Sequence, residues 1–468
     1  MYTKNTKVVC TLGPSSDSVS EIVALINAGM NVARLNFSHG TYSHHKKIIN
    51  NVHKAEKLTG KTIGILQDLQ GPKIRIGEMP EEGILVKKGE KFLLTSQKVK
   101  GQVQQRLYPT KIIPITYNSL TKDIKKEHKI LIDDGLIEVT AIKKNPKGII
   151  CKVKFGGLIK TRKGVNFPDS NVSVQTITEK DKQDLKFGLK NKVDFVALSF
   201  VKSKKDLQDL RKLIKNNTPI IAKVERHEAV KNLKEIIKTA DGVMVARGDL
   251  GSDLQPEQVP IVQKRMIALA NKYGKPVILA TQVLQSMVEN SSPTRAEISD
   301  AANAVYDHTD AIMLSNESAV GKYPAKAART LTKVASAVEK ELQQHKELLQ
   351  EIVTPRKMSA INAACLNAAE IAQQSNADAI VVYTSDGYTA KNIAKHRLYT
   401  PIITVTPNKK TARELTLVWG INKVLIKKAT EKTIINLLKK EKLVRKGDNL
   451  VMIFNASKKQ STISTTKI

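Results

Sequence analysis

The feature that most restricts this chain is the way its apolar residues change period. Short apolar runs of strand length alternate with stretches at helical spacing, and the alternation breaks once and then resumes. Before the break, residues 7–13 (KVVCTLG), 31–38 (NVARLNFS) and 61–69 (KTIGILQDL) read as strands. Ser18, with Glu21 three residues on, is a capping-box pattern opening a helix that ends at Gly29, and a His/Lys-rich helix runs to Gly60. From about Gly71 to Pro168 the helical period disappears. Runs such as HKILIDDGLIEVTAI and KGIICKVKF are separated by Gly, Asn and Pro, which predicts an all-β insertion. A helix at Thr178 restores the rhythm, followed by strands at 193–200, 219–225, 242–249, 276–282 and 311–317. Three strands before the insertion and five after it, each leading into a helix, imply a parallel (β/α)8 TIM barrel carrying an inserted lid.

A long polar helix near 331–350 and a break at Thr354 and Pro355 come next. Strands at 379–384, 401–405, 424–426 and 449–454 then alternate with helices, the pattern of a smaller doubly wound α/β domain. The tail KKQSTISTTKI is polar and reads as loose. The expected organisation is a barrel over 1–69 and 169–340, a β lid over 70–168 and a C-terminal α/β domain over 341–468. A length of 468 residues, 41% hydrophobic, supplies more than one core. Three scattered cysteines (Cys10, Cys151, Cys365) exclude a disulfide scaffold and suit a reducing compartment. The N-terminal segment has no apolar core or cleavage site of a signal peptide, and no run approaches ~18 apolar residues, so a cytoplasmic location off the membrane is expected.

Lys and Arg number 77 against 44 acids, a formal charge of +33. Lysine is spread along the whole chain with few aromatics between basic residues, so stacking platforms for bases are poor. The charge reads as a lysine-rich surface favourable to small anions, and no nucleic-acid partner is expected.

In such a barrel the C-terminal strand ends face the catalytic mouth. Strand two ends with Arg34, Asn36 and Ser38 on one face, followed by His39; strand three ends at Asp68. Strand five ends with Lys223 and Glu225 on a common face, and strand six with Arg247, Gly248 and Asp249. Strand seven ends at Thr281 and Gln282, strand eight at Ser315, Asn316 and Glu317. A single charged strand end is usually a rim residue; polar residues at six of eight are not explained that way. Glu225 and Asp249 are hard oxygen ligands at low count, which suits Mg2+ or Mn2+ with water and substrate completing the shell. Arg34 and Lys223 beside such a metal suit a phosphoryl group that gains charge in transfer. There is no GxxxxGK[ST] loop and no HRD/DFG set, which excludes P-loop and protein-kinase folds.

The motifs TLGPSS, NVARLNFSHG, GPKIR, DDGLI, KGVNFP, PIIAKVERHEAV, VMVARGDLG, ATQVLQSM, SPTRAE and TDAIMLSNESAVGKYP occur in order. They resemble those of the pyruvate kinase family across the barrel and its insertion. TPIITVTPN, TARELTLVWG and LVRKGDNLV resemble its C-terminal domain. The resemblance implies phosphoryl transfer from phosphoenolpyruvate to ADP, a homotetramer, and a phosphorylated effector bound by the C-terminal domain. Residue by residue, it implies that Lys223 stabilises the transferring phosphoryl group, that Arg34 binds phosphate, and that Glu225 and Asp249 hold the divalent metal. The Gly248 and Asp249 amides with the Thr281 hydroxyl match the substrate-carboxylate site. Thr281 also lies where the enolate is protonated, with Ser315 and Glu317 extending a relay. Asn36, Ser38, His39, Arg75 and Lys163 match nucleotide-phosphate contacts.

The chain departs from the family pattern in several places. Lys73 stands where K+-dependent members have Glu, and Leu69 replaces a hydroxyl ligand. A lysine ammonium can stand for K+, so K+ is not expected to be required, and Asp68 should pair with a neighbouring cation. Asn316 and Asp169 replace glycines; glycine often answers a demand for positive φ, which Asn and Asp tolerate best among other residues, so both replacements are expected to be tolerated. The last loop, Asn455 to Gln460, has lost its glycines, and Asp386 puts a negative charge in the loop Thr384 to Thr389, so effector activation is expected to be weak or altered. Two other functions compete: a metal-dependent barrel enzyme acting on pyruvate enolates, which has no need of Arg75 and Lys163, and a basic RNA-binding scaffold without catalysis.

Overall fold

The computed structural model describes residues 4–97, 111–133, 135–345, 359–457 and 460–468. The chain begins with β1 (Lys7–Thr11), β2 (Met30–Asn36) and β3 (Gly64–Asp68). The insertion contributes β4 (Ile84–Val86), β5 (Lys91–Thr95), β6 (Lys111–Pro114), β7 (Lys129–Ile132), β8 (Ile137–Asn145), β9 (Gly148–Phe155), β10 (Gly157–Ile159) and β11 (Val165–Asn166). Then come β12 (Phe195–Leu198), β13 (Ile220–Val224), β14 (Gly242–Ala246), β15 (Val277–Ala280) and β16 (Ala311–Leu314). β17 (Ala379–Tyr383), β18 (Ile402–Thr406), β19 (Ile421–Ile426), β20 (Asn449–Ser457) and β21 (Gln460–Lys467) close the chain.

Among the described residues, eight parallel strands form a closed barrel in the order β1-β16-β15-β14-β13-β12-β3-β2. Every barrel strand is buried nearly end to end because its inner face fills the barrel and its outer face meets the helices. Val32, Leu66, Ala197, Ile221, Met244, Ile278 and Met313 fill the inside. A larger aliphatic layer packs the outer faces against the helices. Local signals start those helices: Ser18 Oγ accepts from the Glu21 amide, and Thr178 with Asp181 and Thr294 with Glu297 form reciprocal capping boxes. Gly29 ends the first helix at φ 114°, where a Cβ would lie 2.2 Å from Thr332 Oγ1.

The insertion is all-β, with a mixed sheet β11-β7-β8-β9-β5-β6 and a small sheet β10-β4 around a core that runs from Ile74 to Val172 and includes Phe92 and Phe167. The C-terminal unit is the sheet β19-β18-β17-β20-β21 with apolar layers on both faces. It is tied to the barrel by Arg397, which reaches Asp310 Oδ2 at 2.9 Å and lies over the Trp419 ring, and by Arg413, which donates to Ile63 O at 2.7 Å and pairs with Glu56.

Several expectations are corrected. β14 stops at Ala246, and Arg247–Gly251 is a short helix; β16 stops at Leu314, with Asn316–Ala319 helical. Both turns put backbone amides rather than more strand at the mouth. β15 stops at Ala280, and Thr281 and Gln282 turn away at φ 69° and 54°. Asn316 and Asp169 are not among the non-glycine residues of positive φ; Asn316 opens its helix instead. The tail is not loose: β21 pairs antiparallel with β20, from Asn449↔Lys467 to Ser457↔Gln460, so backbone hydrogen bonds order a segment whose side chains gave no apolar signal. β19 starts at Ile421, three residues earlier than expected. The long helix is Pro324–Gln344; Thr354, Pro355, Lys458, Lys459 and the Asp134 of DDGLI lie outside the described residues.

Candidate active site

The strand ends bring Arg34, Asp68, Lys223 and Glu225 together at the barrel mouth. Register aligns them: Arg34 pairs with Leu66 and Asn36 with Asp68 across β2 and β3. Arg34 Nε donates to Asp68 Oδ2 at 2.8 Å and its Nη1 to Thr11 Oγ1 at 2.9 Å. Lys223 Nζ sits 3.1 Å from Asp68 Oδ1 and 3.0 Å from Glu225 Oε1, and donates to Ser199 Oγ at 2.8 Å. Asp68 thus pairs with neighbouring cations, as its surroundings in the sequence suggested. Burial works against the charge of Lys223, but Asp68 and Glu225 outweigh it and hold the ammonium above the usual lysine range. Burial likewise opposes the Asp68 carboxylate, and Lys223 and Arg34 overcome it, lowering its pKa. Glu225 goes the other way: burial raises it, Lys223 opposes, and the charge of Asp249 adds to the rise.

Glu225 Oε2 accepts the Phe200 amide at 2.8 Å, so one carboxylate oxygen is aimed by the backbone while the other faces Lys223. Asp249 lies beside Glu225, in the Arg247–Gly251 turn that follows β14, the neighbour of β13. The donor set fits a hard divalent cation: two carboxylates, one of them buried, with no sulfur or imidazole alongside. Among the described residues no cluster of three or more acids, histidines or cysteines surrounds a point, so water and substrate would complete the shell.

On the same rim, the Gly248 amide donates to Thr281 Oγ1 at 2.8 Å, joining the two parts of the expected carboxylate site. Arg247, to which the sequence assigned no role, holds this turn. Its guanidinium donates to Thr281 O at 2.9 Å and Gln282 O at 3.0 Å and pairs with Asp300 at 2.7 Å. It clamps the backbone that puts a β-branched residue at positive φ, a strained state kept by its surroundings. Glu317 has a different task from the expected relay. Buried, it accepts the amides of Leu284 at 3.0 Å and Ser315 at 2.8 Å, tying the exits of β15 and β16 together. Ser199 and Thr11, which steady Lys223 and Arg34, were also missed; as single hydroxyls on strands they carry no motif of their own.

The nucleotide-side residues fall on two bodies. Asn36 Oδ1 accepts the Ser38 amide at 3.1 Å in the turn that leads to His39. Arg75 and Lys163 stand on the lid, Arg75 donating to Arg162 O at 2.9 Å and Lys163 pairing with Asp133 at 2.9 Å. Burial, then the charges of Arg75, Arg34 and Lys73, hold His39 below the usual histidine value. Lys73 is brought to Asp249 Oδ1 at 2.9 Å rather than to Asp68. In the C-terminal domain the expected effector loop is filled by its own side chains: Asp386 Oδ1 accepts the Tyr388 amide at 3.0 Å, and Thr384 Oγ1 the Gly387 amide at 3.0 Å.

Comparison with known proteins bears on the family and the fold. The family model described as pyruvate kinase, barrel domain, matches residues 3–328, and that of the pyruvate kinase alpha/beta domain matches 362–468. Pyruvate kinase of Staphylococcus saprophyticus is 45% identical over 424 residues, 89% of this chain and 71% of the relative. That of Geobacillus stearothermophilus is 44% identical over 424 residues, with the same shares, 89% and 71%. A crystal structure of a pyruvate kinase from Cryptosporidium parvum superposes with a TM-score of 0.90 at 34% identity, covering 99% of this chain and 96% of that one. With its barrel, its lid and its C-terminal sheet all accounted for, this chain belongs to the pyruvate kinase family.

Proposed function

We propose that the chain transfers the phosphoryl group of phosphoenolpyruvate to ADP. The observation that carries this reading is Lys223, buried between Asp68 and Glu225 beside Arg34, with the Gly248–Thr281 pair on the same rim. The P–O bond to the enolate oxygen breaks, a bond from phosphorus to a terminal ADP oxygen forms, and the enolate carbon takes a proton to give pyruvate. Arg34 binds the phosphate, and Lys223 is preorganised to stabilise the charge that grows on the phosphoryl oxygens. The substrate carboxylate displaces the Gly248–Thr281 hydrogen bond and takes both groups as donors. Thr281 stands at the enolate face, and a threonine is a poor acid, so the proton passes beside it through water. Glu225 and Asp249 would hold Mg2+ or Mn2+, which when bound supplies positive charge to the phosphoryl oxygens. Asn36, Ser38 and His39 on the barrel and Arg75 and Lys163 on the lid engage the nucleotide phosphates, so lid closure excludes water as it completes the site.

The barrel boundaries 1–69 and 169–340, the lid 70–168, the C-terminal domain 341–468, a homotetramer, a cytoplasmic location and weak or altered control by a phosphorylated effector belong to the same proposal. The filled loop at Asp386 supports the last, and a screen of sugar phosphates and AMP tests it. The three free cysteines, all buried, suit the cytoplasm. Among the described residues no helix is long and apolar enough to cross a membrane.

A coupled assay should show ATP formed from phosphoenolpyruvate and ADP with Mg2+; no ATP, with aldol or lyase activity instead, would overturn the reading. Turnover is expected to be nearly equal in Na+, K+ and tetramethylammonium buffers at fixed ionic strength. Asp68 is already neutralised by Arg34 and Lys223, and Lys73 adds a tethered cation. Many-fold activation by K+ would remove that role from Lys73.

A further inference from the structure

The two carboxylates assigned to the metal are each held by a lysine. Glu225 Oε1 faces Lys223 at 3.0 Å, and Asp249 Oδ1 faces Lys73 at 2.9 Å. The two lysines differ in setting. Lys223 is nearly buried and has further partners in Asp68 and Ser199; Lys73 and Asp249 are each 26% exposed, and Asp249 is the acidic partner of Lys73. The narrow space on the lid side of the carboxylates, about 20 Å³, has Lys73, Arg226, Glu225, Asp249 and Asp253 among its lining residues. The Lys73 ammonium already faces Asp249 Oδ1, one of the carboxylate oxygens assigned to the metal.

Lys73 also stands at a particular point of the chain. Gly71, at φ 67°, turns the backbone out of the barrel; its amide donates to Asp181 Oδ1 at 3.0 Å, and the Lys73 amide closes the turn on Gly71 O at 3.0 Å. Two residues later Arg75 bridges Gly164 inside the lid. The Lys73–Asp249 pair therefore ties the first lid segment to the barrel rim.

We infer that Lys73 is a resident counter-cation of Asp249 which a divalent cation must displace, so that metal binding releases the entry to the lid from the barrel rim. The inference rests on the metal assignment of Glu225 and Asp249. A partly exposed pair of this kind is weak enough to be displaced and strong enough to tax affinity. Lys73 is a positioning residue here, acting through Asp249.

Mn2+ alone, without substrate or nucleotide, is titrated into the full chain, and free Mn2+ is read by electron paramagnetic resonance. Asp249→Asn should weaken binding. Lys73→Met should bind Mn2+ about fivefold more tightly than the parent, the loss of a competing pair worth roughly 1 kcal/mol. Lys73→Arg, which keeps the pair, should stay near the parent affinity. Hydrogen exchange gives the second readout. In the parent, Mn2+ should speed exchange at the Gly71 and Lys73 amides; in Lys73→Met these amides should exchange fast without metal and ignore it. Unchanged Mn2+ affinity in Asp249→Asn overturns the metal assignment itself. Weaker binding there, with no gain in Lys73→Met, overturns the counter-cation alone. A gain in affinity with hinge exchange indifferent to Mn2+ in the parent overturns displacement.

Discussion

Lys223 is enclosed by Asp68, Glu225 and Ser199, and that enclosure decides what its removal does. Lys223→Met takes away a preorganised charge and should lower kcat by about 10² or more. It also leaves Asp68 and Glu225 facing each other without their shared cation, so thermal stability should fall by a few degrees. Near-normal turnover in steady-state kinetics would end the assignment. Arg247 makes a contrasting case, because it touches backbone rather than reacting groups. Arg247→Met should free the strained Thr281–Gln282 turn and raise KM for phosphoenolpyruvate more than it lowers kcat. Equal loss in both parameters would show that Arg247 acts on the reaction directly. Neither residue's role follows from its type; Arg247 lies in a motif, yet its partners come from the turn after β15 and the helix Arg295–Tyr306, far along the chain.

The elements matter through where they stop. β13 carries Lys223 and leaves Glu225 one residue past its end; β14 gives way to a helical turn that points the Gly248 amide at Thr281. The hinge after β3 is equally specific. A Cβ on Gly71 would come within 2.9 Å of Ser199 Cβ, on a backbone at φ 67° that L residues avoid. Ser199 Oγ accepts from Lys223 and donates to Leu69 O at 2.7 Å. Gly71→Ala should therefore destabilise by about 1–2 kcal/mol and disturb Lys223 through Ser199, lowering kcat. Calorimetry and kinetics together check this; a variant of parent stability and rate would show the hinge to be slack. Alternating period and turn residues gave most barrel strands to within a few residues, while the long helix begins at Pro324, earlier than its polar stretch suggested. The ends of β14, β15 and β16 were not readable, because strand-like sequence continues past the point where the mouth bends the backbone. β21 escaped notice because an edge strand with one paired side needs backbone partners more than apolar side chains.

At the scale of the whole molecule, the seam between barrel and C-terminal domain carries ionisable groups out of water. Asp194 accepts the Ile65 amide at 2.8 Å, with Arg413 Nη1 3.5 Å away and Arg413 itself shared with Glu56. Burial raises Asp194 to about 7, against the opposing charge of Arg413. Such an acid binds more protons folded than unfolded between about pH 4 and 7. Its contribution to stability is full below pH 4 and falls as pH rises to about 7, by up to ~1.4 kcal/mol per unit. Asp194→Asn removes that slope, so its melting temperature relative to the parent should be higher at pH 8 than at pH 5. Parallel profiles would mean that Arg413 keeps Asp194 ionised throughout. Arg397 tests the seam from the other side: its two contacts with Asp310 are buried, and Arg397→Ala should cost about 3–5 kcal/mol by leaving that carboxylate without its partner.

Period and turn chemistry in the sequence were enough for the eight-stranded barrel, its β insertion and the second α/β unit, since these depend on local spacing and on where glycine and proline fall. Part of the candidate site was legible in the same way: strand periodicity puts Lys223 with Glu225 and Arg34 with Asn36 on common faces, and a closed parallel barrel has one end at which such strand ends can meet. Tertiary structure decided which charge faces which. Asp68 serves Arg34 and Lys223, Lys73 goes to Asp249, Glu317 binds two amides, and Asp386 fills its own loop. Each of these pairings joins side chains by geometry, and over a few ångströms the preference of a lysine among several nearby carboxylates is set by distance and burial, which no spacing along the chain encodes.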